Sequence, residues 1–198
     1  MLRGRARPPL ESRRGHNGEA WRGQNGGAWR LSYPIRLEAP GDIGAITRLT
    51  EAAFRQAAHT SRTEQFIVDA LRRAGQLSVS LVAHDAGSVV GHVAASPVVI
   101  SSGATDWYGI GPISVEPIHQ RRGIGSALMH AALGALQRRG ARGCVLLGDP
   151  AFYGRFGFVP SSRLVLAGVP PEYFQVLSFD GDVPAGEVRY HRAFDATC

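Results

Sequence analysis

Gln120-Arg121-Arg122-Gly123-Ile124-Gly125-Ser126 is the stretch whose residue types and spacing could do chemistry by position alone. It stands between a short apolar run, Pro112-Ile113-Ser114-Val115, and an alanine- and leucine-rich segment that reads as a helix. A helix entered through such a turn leaves its first N–H groups without acceptors, at the positive end of its dipole. That is an anion site, and phosphate is a common occupant. Gly123 and Gly125 lack a Cβ, so phosphate oxygens can approach the main chain closely. Arg121 and Arg122 add attraction at longer range, and Gln120 adds a neutral donor at the same mouth. The stretch reads as a pyrophosphate cradle.

Two common phosphate loops are excluded or weak here. A Walker loop needs a lysine after its second glycine, and the chain contains no lysine. A dinucleotide fingerprint needs a third glycine where Leu128 stands, and it lies early in a chain rather than here. What remains is Gln-x-x-Gly-x-Gly at a strand-to-helix junction. A second cluster follows at Gly148-Asp149-Pro150-Ala151-Phe152-Tyr153-Gly154-Arg155-Phe156-Gly157-Phe158. Asp149-Pro150 reads as a cap and first residue of a short helix, and Gly157 reads as its end.

These two motifs, in this order, resemble the GCN5-related N-acetyltransferase (GNAT) superfamily: the coenzyme A loop, then Tyr-x-x-x-Gly-Phe. The second run looks closest to the YhbS-like bacterial branch. The resemblance covers roughly residues 34–160. It implies an α/β fold with a mixed, twisted sheet of six or seven strands and helices on both faces. It also implies acetyl-coenzyme A as co-substrate, no metal, and an amine-bearing small molecule or peptide as acceptor.

Carried over to these positions, main-chain groups of Ile113, Ser114 and Val115 pair with the pantetheine arm. Gln120, Arg121, Arg122, Gly123, Ile124, Gly125 and Ser126 hold the pyrophosphate. The two parallel strands of the crossover splay, and the arm threads the gap. A backbone N–H near Ile113 or Val115 polarises the thioester carbonyl, which is oxyanion-hole chemistry. Tyr153 matches the acid that protonates the departing thiolate; a packing role along the pantetheine is its alternative. Many relatives carry a glutamate on the bent strand, whereas Trp107–Val115 contains no acid. Glu51, His59, His84, His92 or a water chain are left as candidates for the base, and His119 reads as a solvated turn residue.

The elements that must position this site follow from periodicity. Ile43 to about Ala57 and Arg62 to Ala74 read as amphipathic helices, the first capped by Asp42. Ser78–His84 and Ser88–Ile100 read as a hairpin across Asp85-Ala86-Gly87. Trp107–Val115 is a strand that Gly109, Gly111 and Pro112 should bend or bulge. Ile124 to Arg139 is the long helix, and Gly143–Leu147 a strand buried on both faces. Strand, helix, strand makes a parallel crossover. Apolar runs at Leu164–Ala167, Tyr173–Phe179 and Glu187–His191 read as strands closing the sheet edge.

Length fits one ordinary domain, and 44% hydrophobic residues suffice for a core. The net charge of +6 suggests nucleic acid until it is mapped. Residues 1–30 hold seven arginines against Glu11 and Glu19, whereas the remainder holds fifteen arginines and fourteen acids. The expected organisation is an Arg/Gly-rich, disordered extension over 1–33 and one acetyltransferase domain over 34–198, with its motif-bearing core at 107–160. An RNA- or ribosome-associated role through that extension, with Trp21 and Trp29 stacking on bases, is the weaker alternative. A coenzyme A sensor without turnover is the other, and a homodimer stays open. No segment has the run of ~20 apolar residues of a membrane span. Cys144 and Cys198 form no disulfide framework, so a reduced cytoplasmic setting is expected.

Overall fold

The computed structural model describes residues 33–55 and 63–197. The N-terminal extension with Trp21 and Trp29, His59 and Cys198 therefore lie outside the described residues. The chain opens with strand β1 (Ile35–Leu37), helices α1 (Ile43–Phe54) and α2 (Glu64–Arg73), and strands β2 (Val79–Asp85) and β3 (Ser88–Pro97). Strands β4 (Val99–Ile100) and β5 (Trp107–Val115), helix α3 (Ile124–Arg138), strand β6 (Gly143–Leu147) and helix α4 (Pro150–Tyr153) follow. Strands β7 (Val159–Pro160), β8 (Leu164–Val165), β9 (Phe174–Ser178) and β10 (Gly186–Arg189) complete it.

A seven-stranded sheet runs in the order β1-β2-β3-β5-β6-β9-β7. It is mixed: β5 and β6 are parallel across the α3 crossover, and their neighbours are antiparallel. The β2–β3 turn uses Ala86 (φ 45°) and Gly87 (φ 84°), the doubly left-handed pair that matches hairpin twist. Helices cover both faces. Leu81 and Ala83 of β2 pack into a core with Ile124, Leu128, Ala132 and Leu136 of α3. The residue between them, Val82, packs against Ile46 of α1 and Val68 of α2 on the other face. That alternation is the two-residue period of a strand buried on both sides.

Three expectations change. Ser88–Ile100 is not one strand: it breaks after Pro97, and β4 joins a separate sheet, β4-β10-β8. The C-terminal runs do not close the sheet edge. β9 inserts between β6 and β7, while β8 and β10 form that small sheet over Trp107, Val145 and Val176. Asp42 does not cap α1 with its side chain. The carboxylate turns back instead to Arg36 (2.6 and 3.0 Å) and the Ala39 N–H (2.7 Å). The Arg36 guanidinium holds that carboxyl down at about 2.

The β5–β6 pair depends on a glycine. Trp107, 1% exposed, lies with its ring where a Cβ at Gly143 would sit, and the Leu177 carbonyl would be 2.7 Å from that Cβ. The ring can shift, but a strand carbonyl cannot do so cheaply. Gly143→Ala should therefore cost about 1–3 kcal/mol, read as a lowered Tm. An unchanged Tm would show that Trp107 does not pin this pair.

Candidate active site

The β5–β6 ladder is short. Trp107 pairs with Gly143, Tyr108 with Cys144, and Gly109 with Val145. Past these residues β6 continues only against β9, with Leu146 opposite Gln175 and Leu147 opposite Phe174. β5 continues only against β3, ending with Val115 opposite Gly91. The two strands fork. On β5 the chain advances from Ile110 to Ile113 while β3 moves only between Ala95 and Val93, so one extra residue bulges at Gly111–Pro112. Gly111 has φ 149°, and Pro112 has no N–H to give a ladder.

Register shows which main-chain groups face the fork. In an antiparallel pair, alternate residues bond to the partner and the others point their N–H and C=O away. Glu116 N–H donates to the Val90 carbonyl at 3.0 Å, so Ser114, two residues earlier, also bonds toward β3. Ile113 and Val115 are the outward pair. The Val115 carbonyl indeed accepts from outside the ladder, from Gln120 Nε2 at 3.1 Å. Ser114, buried opposite His92, donates its Oγ hydrogen to Thr50 Oγ1 of α1 at 3.2 Å. Of the three residues named on this strand, two offer main-chain groups to the fork. The third ties the strand to α1.

The glycine turn has a left-handed residue at Arg121 (φ 59°) and another at Gly123 (φ 85°), the N-cap of α3. A left-handed residue between right-handed ones turns successive N–H groups to one concave side. Gly123 supplies no side-chain cap, and the first helical bond outside the cradle is Ala127 N–H to the Gly123 carbonyl at 2.9 Å. The N–H groups of Ile124, Gly125 and Ser126 thus stand at an open helix end. Arg121 and Arg122 are exposed beside it. The Gln120 side-chain amide donates to the Val115 carbonyl and so braces the turn against the end of β5.

Tyr153 closes the open end of the fork. Its ring lies where a Cβ at Gly148, the residue after β6, would sit. Phe152 meets it edge-on at 4.9 Å and Phe158 at 6.2 Å. Asp149 caps the short helix, accepting from Ala151 N–H at 2.9 Å, as the sequence indicated. Gln175 Nε2 holds the Gly148 carbonyl at 3.0 Å, a support with no sequence signature. Burial, with a smaller contribution from Asp149, pushes the Tyr153 phenol up to about 12. It is a protonated donor at neutral pH.

Cys144 is fully buried on β6, and burial raises its thiol, so it is no thiolate nucleophile. His119 is not solvated: Nδ1 sits 3.0 Å from Glu116 and Nε2 3.3 Å from Asp85, clasping the turn. Glu51 is exposed and pairs with Arg55 on α1. His84 is half-buried on β2. His92 is fully buried, with Nε2 2.8 Å from Ser80 Oγ, and Ser80 donates to Glu38. Ser80 has one hydrogen and gives it to the carboxylate, so His92 Nε2 must be the donor toward Ser80. Burial lowers His92 to about 4, leaving it neutral. Among the described residues no cluster could hold a metal ion.

The forked parallel pair and the open, glycine-capped helix end at its mouth together form the candidate site. Residues 34–160 match the family model described as an acetyltransferase (GNAT) domain. The chain belongs to the GNAT acetyltransferase family. It is 38% identical over 168 residues to an uncharacterized N-acetyltransferase, YhbS, of Escherichia coli K12, covering 81% of this chain and 98% of the relative. A GNAT family acetyltransferase of Brucella melitensis, crystallised with acetyl-CoA, is 48% identical, with a TM-score of 0.74 over 82% of this chain and 98% of that one. The crystal structure of E. coli YhbS with CoA is 33% identical, with a TM-score of 0.75 over 83% and 92%. No helix of the described residues is long and apolar enough to cross a membrane.

The raised Tyr153 pKa fixes the sign of a pH effect. The folded state keeps its proton after the unfolded chain, near pH ~10, has begun to lose it. Stability is therefore present below about pH 10 and lost as pH rises toward 12. Tyr153→Phe should lose Tm less steeply than wild type across that window, and parallel curves would contradict a buried phenol.

Proposed function

We propose that the chain transfers an acetyl group from acetyl-coenzyme A to an amine by direct attack within a ternary complex. The observation that carries this reading is the fork, which leaves the outward main-chain groups of Ile113 and Val115 without a sheet partner. The pantetheine arm serves as the missing strand there. Its diphosphate lies against the N–H groups of Arg121 to Ser126, where the dipole of α3 and the two arginines favour negative charge.

The neutral amine attacks the thioester carbonyl carbon, forming the C–N bond. The oxyanion is held by the N–H of Ile113 or Val115. The C–S bond then breaks, and the sulfur takes a proton from the Tyr153 phenol. The proton lost from nitrogen restores that phenol directly or through water, so the sum is amine plus thioester to amide plus thiol. With Cys144 buried as a thiol, the chemistry needs no thiolate intermediate on the enzyme.

A small molecule or peptide amine is the acceptor class, and the cytoplasm is the compartment expected for a reaction fed by acetyl-coenzyme A. Residues 34–198 act as the catalytic domain in this reading. The extension before them, with its arginines, takes no part in the chemistry.

Thiol release from acetyl-coenzyme A across an amine panel tests the activity. Tyr153→Phe should lower kcat by about 100-fold while leaving acetyl-coenzyme A affinity within about threefold. An unchanged kcat removes the acid role. Arg121→Ala combined with Arg122→Ala should weaken acetyl-coenzyme A binding about tenfold at low salt, and the difference should shrink as salt rises. A loss that ignores salt would place the diphosphate elsewhere.

A further inference from the structure

Tyr190 follows β10 and is held where the two strands part. Its ring lies where a Cβ at Gly109 would sit, and Gly109 is the last β5 residue paired to β6. Phe194 packs against the ring at 4.6 Å with a 52° tilt. Phe194 in turn packs with Ile67 and Leu71 of α2. The ring is thus partly buried, between Gly109 of the sheet and Phe194 of the C-terminal segment. Its backbone is fixed by the small sheet, in which Val188 pairs with Ile100 and Gly186 with Leu164.

The phenol has no hydrogen-bond partner among the described residues, although the ring around it is immobilised. A polar group fixed this way, at the root of a fork, faces a ligand or water. Tyr153 stands at the other end of the same fork, with its ring on Gly148. Burial, with smaller contributions from Cys144 and Tyr153, raises the Tyr190 phenol, so it is neutral at neutral pH and not a base.

We propose that Tyr190 is the acceptor-side residue of the transfer site, its phenol oxygen accepting a hydrogen bond from the attacking amine and orienting the nitrogen lone pair toward the thioester carbonyl. This rests on the acetyl-transfer reading above. The two tyrosines divide the work by position. Tyr153 serves the departing sulfur at the mouth of the fork, and Tyr190 serves the incoming nitrogen at its root. Gly109 presents no side chain from β5, and the C-terminal segment fills that place with a phenol.

Fluorotyrosine incorporated into the whole chain tests this by fluorine NMR, with the Tyr190 resonance assigned by its loss in Tyr190→Phe. Acetyl-coenzyme A should shift that resonance, whereas the phosphorylated ADP half of coenzyme A, which reaches only the cradle, should leave it in place. In turnover, Tyr190→Phe should lower kcat/KM for the fastest amine of the panel about tenfold with acetyl-coenzyme A affinity unchanged. A Tyr190 signal that stays still in protein shown by calorimetry to bind acetyl-coenzyme A overturns the proposal and leaves the functional reading intact. Equal shifts with the ADP half alone also overturn it, as does full kcat/KM in Tyr190→Phe. Failure of acetyl-coenzyme A to bind overturns the functional reading and this proposal with it.

Discussion

Two parallel strands that bond for three residues and then part leave polar main-chain groups without a sheet partner, and the site depends on that. Buried N–H and C=O groups are costly when unmet, so a fork persists only if each arm is held from its other side. β5 is held by β3 up to Val115, and Ser114 is tied to Thr50 of α1. β6 is held by β9, with the Gln175 amide securing the Gly148 carbonyl beyond its end. The bulge at Gly111–Pro112 re-aims β5 as the pairing with β6 stops. Each feature is local, and together they keep an edge open inside a sheet that is otherwise paired.

Three aromatic rings reinforce this geometry in the same way. Trp107 lies on Gly143 where the strands are joined, Tyr190 on Gly109 where they part, and Tyr153 on Gly148 at the open end. In each case a ring takes the volume that a Cβ would fill, packing a large apolar surface directly on backbone. The glycines therefore specify where the rings sit, and the rings specify where the phenols sit. Burial keeps both phenols protonated at neutral pH.

The glycine turn and the open end of α3 were legible in the sequence, because glycines at fixed offsets before a helix need no distant partner. The crossover and the Asp149 cap were legible for the same reason. Ser114 and Gln120 were read only partly. Strand residue types do not reveal which alternate positions bond outward, and Gln120 serves the Val115 carbonyl across five residues. His119 looked solvated because Asp85, which clasps it, comes from the end of another strand. The small sheet and β9 were misplaced because short strands carry weak periodicity, and their order depends on contacts distant in sequence. Tyr190 gave no signal at all, since only the fold brings it to Gly109.

Amide hydrogen exchange on saturating the protein with acetyl-coenzyme A reads the central claim residue by residue. The Ile113 and Val115 amides should pass from fast to slow exchange as the pantetheine arm occupies the fork, whereas Ser114, already bonded to β3, should be slow throughout. Ile113 and Val115 amides that exchange equally fast with and without bound acetyl-coenzyme A would contradict the account.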